Sequence, residues 1–312
     1  MNLREQITDT ILMVRPANFG FNQETAINNA FQRRDDQQSP REIQAAAVRE
    51  FDAMVKVLEQ HGIQIIVAED VSLPAKPDAI FPNNWVSFHQ DGNIFTYPMF
   101  SPLRRLERNI EFVEQLKTKL GFQQIFNLEK YEAQEQFLEG TGSMVLDRLH
   151  RLAYACESPR THPTVLQEFC GLAGYEAVLF KATDKNGVAI YHTNVMMAVG
   201  KDFAIICEAS ISDPADLARV KAAMKRTGKQ IIPISFAQVN AFAGNMLQVK
   251  NPQGKDYLVM SSQAYQSLTK DQIAKIETFT QILHSPINHI EKYGGGSTRC
   301  MMAEVFSVLK EE

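Results

Sequence analysis

The sequence predicts an α/β fold in which five repeats close into a ring. Three observations carry this: five amphipathic helices, five similar polar-to-apolar switches at nearly constant spacing, and one missing strand that the opposite end of the chain can supply.

The first helix opens on Ser39-Pro40-Arg41-Glu42, a capping box with proline at the first helical position. Ile43, Ala47, Phe51, Val55 and Leu58 follow at helical spacing, and Gly62 ends the run. A second helix carries Leu103, Leu106, Ile110, Val113 and Leu116 as far as Gly121. A third opens near Thr161 and uses Val165, Phe169 and Leu172 before Gly174. The fourth starts at Asp213-Pro214, carries Leu217, Val220 and Met224, and stops at Gly228. The fifth opens near Thr269 and runs through Ile273, Ile276, Phe279 and Leu283.

Each helix is followed by a strand-like segment, as at 63–67, 124–128, 177–180 and 230–234. Then comes a switch: Asn83-Asn84-Trp85-Val86, Glu139-Gly140-Thr141-Gly142-Ser143, His192-Thr193-Asn194, Ala243-Gly244-Asn245-Met246, and Gly295-Gly296-Ser297-Thr298-Arg299-Cys300. Aligned on Asn84, Gly142, Asn194, Asn245 and Cys300, the switches lie 58, 52, 51 and 55 residues apart. A further strand follows the first four, at 94–97, 152–156, 203–207 and 257–260. The fifth unit runs out of chain, and residues 11–14 would complete it. Periods near 50 residues mark solenoids and propellers, and an open stack would need polar caps that are not visible here. One domain over residues 1–312 therefore replaces the roughly two that length alone suggests.

Composition narrows the partners. With 32 basic and 36 acidic residues and a net charge of −4, the chain has no basic excess for nucleic acid. No apolar run approaches the roughly 18 residues of a membrane span. A small-molecule substrate is expected, with no nucleic acid and no membrane as partner, and a homodimer stays open. Four cysteines without a CxxC pair read as free thiols in a reducing compartment, and no signal-peptide plan precedes them, so a cytoplasmic protein is expected.

In a closed radial fold, equivalent loops converge on one axis. The switches then gather Asn83, Asn84, Glu139, His192, Asn194, Asn245 and Cys300. A thiol, an imidazole and a carboxylate at matching places are the parts of a nucleophilic site: the sulfur attacks, the imidazole moves protons, and the acid orients it. Cys156, Cys170 and Cys207 lie in apolar runs and read as small core residues. Cys300 follows Arg299, a cation that would favour its thiolate. Met144, Met196, Met246 and Met301 recur with the repeat and read as core. His61, His89, His150 and His162, at turns and helix starts, read as surface residues. His284 and His289 miss the helical i, i+4 face, and no HExxH occurs, so no metal is expected. Gly294-Gly295-Gly296 lacks the Lys-Ser/Thr of a phosphate loop, and no cofactor is expected. Residues 33–38 read as an exposed loop that could act as a lid.

Four segments in register, Pro77-Asp78-Ala79-Ile80-Phe81-Pro82-Asn83-Asn84, Leu138-Glu139-Gly140-Thr141-Gly142, His192-Thr193-Asn194 and the Cys300 segment, resemble the guanidino-group modifying enzymes. That superfamily includes arginine deiminase, dimethylarginine dimethylaminohydrolase, amidinotransferases and succinylarginine dihydrolase. The resemblance covers nearly the whole chain and is nearest the citrulline-utilisation hydrolase branch. It implies a five-bladed β/α propeller, the pentein fold, with pseudo-fivefold repeats around a central active site. It also implies Cys300 as nucleophile, His192 as general acid/base, Glu139 as its acidic partner, and Asp78 in a substrate-reading segment. Arg104 and Arg160, with Arg15 as a third candidate, match arginines that clamp an α-carboxylate, and a planar fork suits that role. The deiminases place aspartates where this chain has Asn84 and Asn194. Carboxamides can donate and accept, which suits a neutral ureido group better than a guanidinium. The expectation is a cysteine-dependent hydrolase of a ureido or guanidino amino acid, citrulline first. The alternatives are an amidinotransferase, a deiminase-like or dimethylarginine hydrolase activity, and a non-catalytic binding module.

Overall fold

The computed structural model describes residues 4–33 and 38–308. The chain opens with β1 (Thr10–Arg15), the helix Pro40–Gln60 and β2 (Gln64–Glu69). A second unit holds β3 (Val86–Phe88), β4 (Asn93–Thr96), the helix Ile110–Leu120 and β5 (Gln124–Asn127). A third holds β6 (Met144–Asp147), β7 (Leu152–Cys156), the helix Pro163–Ala173 and β8 (Glu176–Phe180). The fourth runs β9 (Met197–Val199), β10 (Phe203–Ile206), the helix Pro214–Arg226 and β11 (Gln230–Pro233). A fifth runs β12 (Leu247–Lys250), β13 (Asp256–Ser261), the helix Lys270–Glu277 and β14 (Gln281–Ser285), and the last strand is β15 (Ala303–Val305).

Each sheet has three strands: an antiparallel hairpin, then a parallel partner reached across the helix. The remaining sheet is β15-β1-β2, in which Leu12 lies opposite Ala303 and Ile66. Residues 11–14 do complete the last unit, so the two ends of the chain share a sheet. β3, β6 and β9 are buried along their whole length, whereas β2 and β5 keep exposed positions. The helices pack on the sheets through their apolar faces, the longest burying Ile43, Ala47, Phe51, Met54 and Leu58.

Local chemistry explains most boundaries. Ser39 and Glu42 form the expected capping box, and Gly121 and Gly174 close their helices in the left-handed conformation. Two expectations need correction. The second helix is broken: Ser101 caps a short turn over Pro102–Arg105, and Asn109 starts the helix Ile110–Leu120 afresh. The break turns Arg104 and Glu107 into the interior, where both are buried. The fifth helix ends at Glu277, and Leu283 sits in β14 opposite Val259. A short apolar run such as Ile282-Leu283 fits either period, and sheet pairing decides.

The four switch methionines are buried, as are Cys156, Cys170 and Cys207. Burial pushes the Cys156 thiol up to about 11 and that of Cys170 up to about 12, as suits packing residues. His89 is not a surface residue. It is buried against Phe95, Phe169 and Tyr175 with Nε2 2.8 Å from Ser87 Oγ, and burial beside Arg148 and Arg151 holds it well below the ordinary imidazole range. Of the loop 33–38, residues 34–37 lie outside the described residues. No helix among the described residues is long and apolar enough to cross a membrane.

Candidate active site

The switches pack on one another. The helical turn Gly140–Ser143 lies against the turns Pro82–Asn84 and Thr193–Val195. Asn245 Nδ2 donates to the Asn194 carbonyl (3.0 Å), and Asn245 Oδ1 accepts from the Arg299 amide (3.0 Å). Residues about 50 apart in sequence thus become neighbours through backbone turns rather than through long side chains.

Glycine makes the contact between turns close enough. A Cβ on Gly142 would stand 2.3 Å from Asn84 Nδ2 and 2.8 Å from His192 Nδ1. Gly142→Ala is expected to displace both side chains and lower kcat/KM by about 100-fold, while the melting temperature moves only a few degrees. Steady-state kinetics beside a thermal melt check this, and activity within threefold of wild type would refute it.

Cys300, His192, Arg104, Arg160, Asp78 and Asn84 all wall one cavity of about 20 Å³, together with Gly294, Gly295 and Gly296. His192 and Glu139 are joined Nε2 to Oε2 at 2.8 Å. Glu139 Oε1 accepts from the Phe100 amide (2.9 Å), and Arg160 and Arg104 lie 3.4 and 3.7 Å from Oε2. Burial alone would raise the Glu139 carboxyl. Arg160, the His192 bond and Arg104 together outweigh it and hold the group well below the usual carboxylate range. Burial, with Arg160 and Arg104, pushes His192 down to about 4 against the pull of Glu139. Its resting form at neutral pH is therefore the neutral ring, with Nε2–H donating to the Glu139 carboxylate and Nδ1 left as the acceptor.

The sulfur of Cys300 receives two amide donors, Asn245 Nδ2 at 3.3 Å and Asn194 Nδ2 at 3.5 Å. They point where negative charge resides on an attacking thiolate. Asn194 and Asn245 therefore stand at the nucleophile, outside the cavity wall in which they were expected to read substrate. Asn83 is buried behind the wall, where its carbonyl accepts from Thr141 Oγ1. The expected help from Arg299 is also redirected. Its guanidinium is spent on Glu304 (2.8 Å) and the Met302 carbonyl (2.7 Å). Arg15 lies apart from the cavity, half-buried and paired with Asp52 at 2.8 Å, so it has no place in the carboxylate clamp.

Arg104 and Arg160 are in the wall, but their forks are already engaged. Arg104 donates from Nε and Nη2 to both oxygens of Glu107 (2.8 and 2.9 Å) and from Nη1 to Asn84 Oδ1 (2.9 Å). Arg160 donates from Nε to Asn28 Oδ1 (2.9 Å) and from Nη2 to the Thr25 carbonyl (2.9 Å). Tyr191 lies 4.9 Å beneath the Arg160 guanidinium and donates to the Gly295 carbonyl (2.9 Å). Thr25, Asn28, Asn29, Glu107 and Tyr191 are site residues that sequence reasoning missed. Only Tyr191, next to His192, carried a signal that could have found it. Among the described residues, no group of three or more His, Cys, Asp or Glu is placed to hold a metal ion.

The family model described as N,N dimethylarginine dimethylhydrolase, eukaryotic, matches residues 15–307. The chain belongs to that family. It thereby falls within the guanidino-group modifying pentein superfamily. The family is one of hydrolases, and the chain holds the thiol, imidazole and carboxylate that such chemistry uses. Among solved structures, the N-terminal domain of ArgZ, an arginine dihydrolase from the ornithine-ammonia cycle in Cyanobacteria, superposes with a TM-score of 0.74. Identity is 17%, over 97% of this chain and 99% of that one. Unliganded AgrE gives 0.73 at 18% identity, with 97% of this chain corresponding to 40% of AgrE. A dimethylarginine dimethylaminohydrolase adduct with S-methyl-L-thiocitrulline gives 0.64 at 13%, over 96% and 99%. At these identities the shared property is the fold. No curated protein matches the sequence.

Proposed function

We propose that this family member is a cysteine-dependent hydrolase of a ureido amino acid, citrulline first, built as one closed five-bladed β/α propeller. The observation that carries the substrate is the pairing of unsatisfied groups in the wall beside Cys300. Asn84 Oδ1 is taken by Arg104, which fixes the amide's orientation, and its Nδ2 is a buried donor with no partner. Asp78 Oδ1 is a buried acceptor with no partner. A ureido group offers a carbonyl to the first and N–H groups to the second. A guanidinium offers only donors and would leave Asn84 Nδ2 facing another N–H.

Neutral His192 accepts the Cys300 proton, and the sulfur adds to the ureido carbon. The imidazolium returns the proton to the departing amine, releasing ornithine and leaving a carbamoyl group on the sulfur. His192 then takes a proton from water, whose oxygen attacks the same carbon and expels the thiolate. The carbamic acid so formed decomposes to ammonia and CO₂, and His192 reprotonates the sulfur. A cavity of about 20 Å³ holds little more than one water and lies far below the usual ligand-pocket range of roughly 300–1,000 Å³. Entry therefore requires movement of the segment around Thr25 and Asn28, which frees the Arg160 fork for the α-carboxylate.

A second reading has its own support. Three carboxyls, Asp78, Glu107 and Glu139, face the two guanidiniums of Arg104 and Arg160, and a guanidinium substrate would supply a third cation. Arginine would then pass through both hydrolyses in one site. An ammonia- and ornithine-release panel with citrulline, arginine and methylated arginines separates the readings. Citrulline should give one ammonia per ornithine and the highest kcat/KM. Arginine giving two per ornithine at equal or better efficiency would favour the second reading. Asn84→Asp is expected to move the citrulline-to-arginine kcat/KM ratio at least tenfold toward arginine, and an unchanged ratio would sink the hydrogen-bond argument.

A further inference from the structure

A second cavity, of about 240 Å³, lies back to back with the catalytic one. The two share a wall in a literal sense. Ala79, Trp85 and Glu107 face the second cavity, and Asp78, Asn84 and Arg104 face the first. Ala79 and Trp85 are the chain neighbours of Asp78 and Asn84, and Glu107 grips Arg104 through two hydrogen bonds of 2.8 and 2.9 Å. Arg104 in turn holds Asn84. Anything that moves Trp85 or draws charge from Glu107 therefore acts on groups that face the substrate.

The chemistry of the second cavity limits what it could hold. Its sides are largely apolar, with Leu12, Val14 and Phe112 inside and Leu106 half-exposed at the rim. Of its charged groups, the two cations are already committed, Lys76 to Asp70 (2.7 Å) and Arg108 to Glu132. Glu69 and Glu107 remain on the anionic side, with Glu69 only 3.7 Å from Arg15 and Glu107 shared with Arg104. Burial drives the Glu107 carboxyl up to about 7 despite Arg104, so a further cation beside it would be welcome. Trp85 is buried and its indole N–H has no acceptor. A ligand oxygen against the ring edge would supply one.

We propose that this cavity is a second ligand site, for a small aliphatic amine that also carries a hydrogen-bond acceptor, and that its occupancy is felt at the catalytic cavity through the shared wall. The amine faces the carboxylates, the chain lies on the apolar sides, and the acceptor reaches the indole. A ligand of this kind has the character of an ω-amino product, but the site itself does not depend on which substrate the enzyme cleaves.

Trp85 is the sole tryptophan of the sequence, so its fluorescence reports this cavity. The probe is 5-aminopentan-1-ol, which has the amine, the apolar chain and an oxygen but no α-carboxylate for the catalytic arginines. The expected result is a saturable change in Trp85 emission, at least fivefold weaker affinity for uncharged 1-pentanol, and a twofold or larger change in KM for the best substrate. Ala68→Phe, which fills the cavity from β2, should abolish both effects. Leu106→Lys, an exposed rim change that leaves folding untouched, should weaken amine binding at least tenfold. An absent or non-saturable response overturns the proposal, as does equal binding of 1-pentanol or full binding in both variants. Binding without any change in KM or kcat overturns the coupling. Because emission is read without turnover, a wrong substrate assignment leaves the binding result standing.

Discussion

Cys300→Ser is expected to lower kcat on the order of 10⁴-fold or more while leaving the fold and substrate binding in place. The sulfur sits in a buried turn, held by amide donors from Asn194 and Asn245, and a hydroxyl of similar size can accept from the same two groups. The change removes nucleophilicity rather than packing, so the melting temperature should move by only a degree or two. Wild-type enzyme quenched during turnover should carry an added mass on Cys300, and the serine variant should carry none. Turnover above a tenth of wild type would mean that the sulfur does not form the adduct. The neighbouring carboxamides make a sharper version possible. Asn245→Ala removes a donor from the sulfur and also the acceptor for the Arg299 amide, so it should cost both activity and order in the nucleophile turn.

Much of this architecture was legible in the sequence because repetition amplifies weak signals. One Asn-Asn turn means little, but five switches at similar spacing place the strands, the helices between them and the exchange of a strand between the chain ends. The juxtaposition of Glu139, His192 and Cys300 was legible for the same reason, because the three lie on corresponding turns. Direction was the harder property. Asn84 and Asn194 hold matching positions, yet one enters the cavity wall and the other donates to the sulfur. Spacing fixes where a backbone goes and not which side of the turn its side chain takes. The arginines show a second limit. Arg15, Arg104 and Arg160 looked alike as forks for a carboxylate, but their partners decide their fate: Asp52 on the surface for Arg15, buried Glu107 one helical turn on for Arg104, and half-buried Asn28 from a distant segment for Arg160. The Thr25–Asn29 segment belongs to no repeat, so periodicity had nothing to say about it. His89 was misjudged because a turn position suggests exposure, whereas Phe169 of the helix Pro163–Ala173 packs against it.

Glu139→Gln is the other change with a large expected effect, and its pH profile separates mechanism from packing. In the native site, His192 titrates near 4, so protonation removes the base form only as pH falls through that value. The acid limb of kcat/KM from this group should therefore lie well below the ordinary imidazole value of about 6.5. The same shift makes a stability statement. A histidine whose folded value is depressed contributes stability that is present above the unfolded value and is lost as pH falls toward 4. Replacing the carboxylate by an amide removes the two influences that raise His192, its hydrogen bond and its charge, while Arg160 and Arg104 still lower it. The limb should move to still lower pH. The rate should nevertheless fall about 10²–10⁴-fold, because the imidazolium formed as the thiol gives up its proton loses its counter-charge, and the Nε2 tautomer is no longer enforced. Two buried arginines also lose an anion, which should lower the melting temperature by several degrees. A merely structural role for Glu139 would reproduce the melting shift without moving the limb. A limb rising toward 6.5, or a rate within threefold of wild type, would show that the carboxylate does not act through His192.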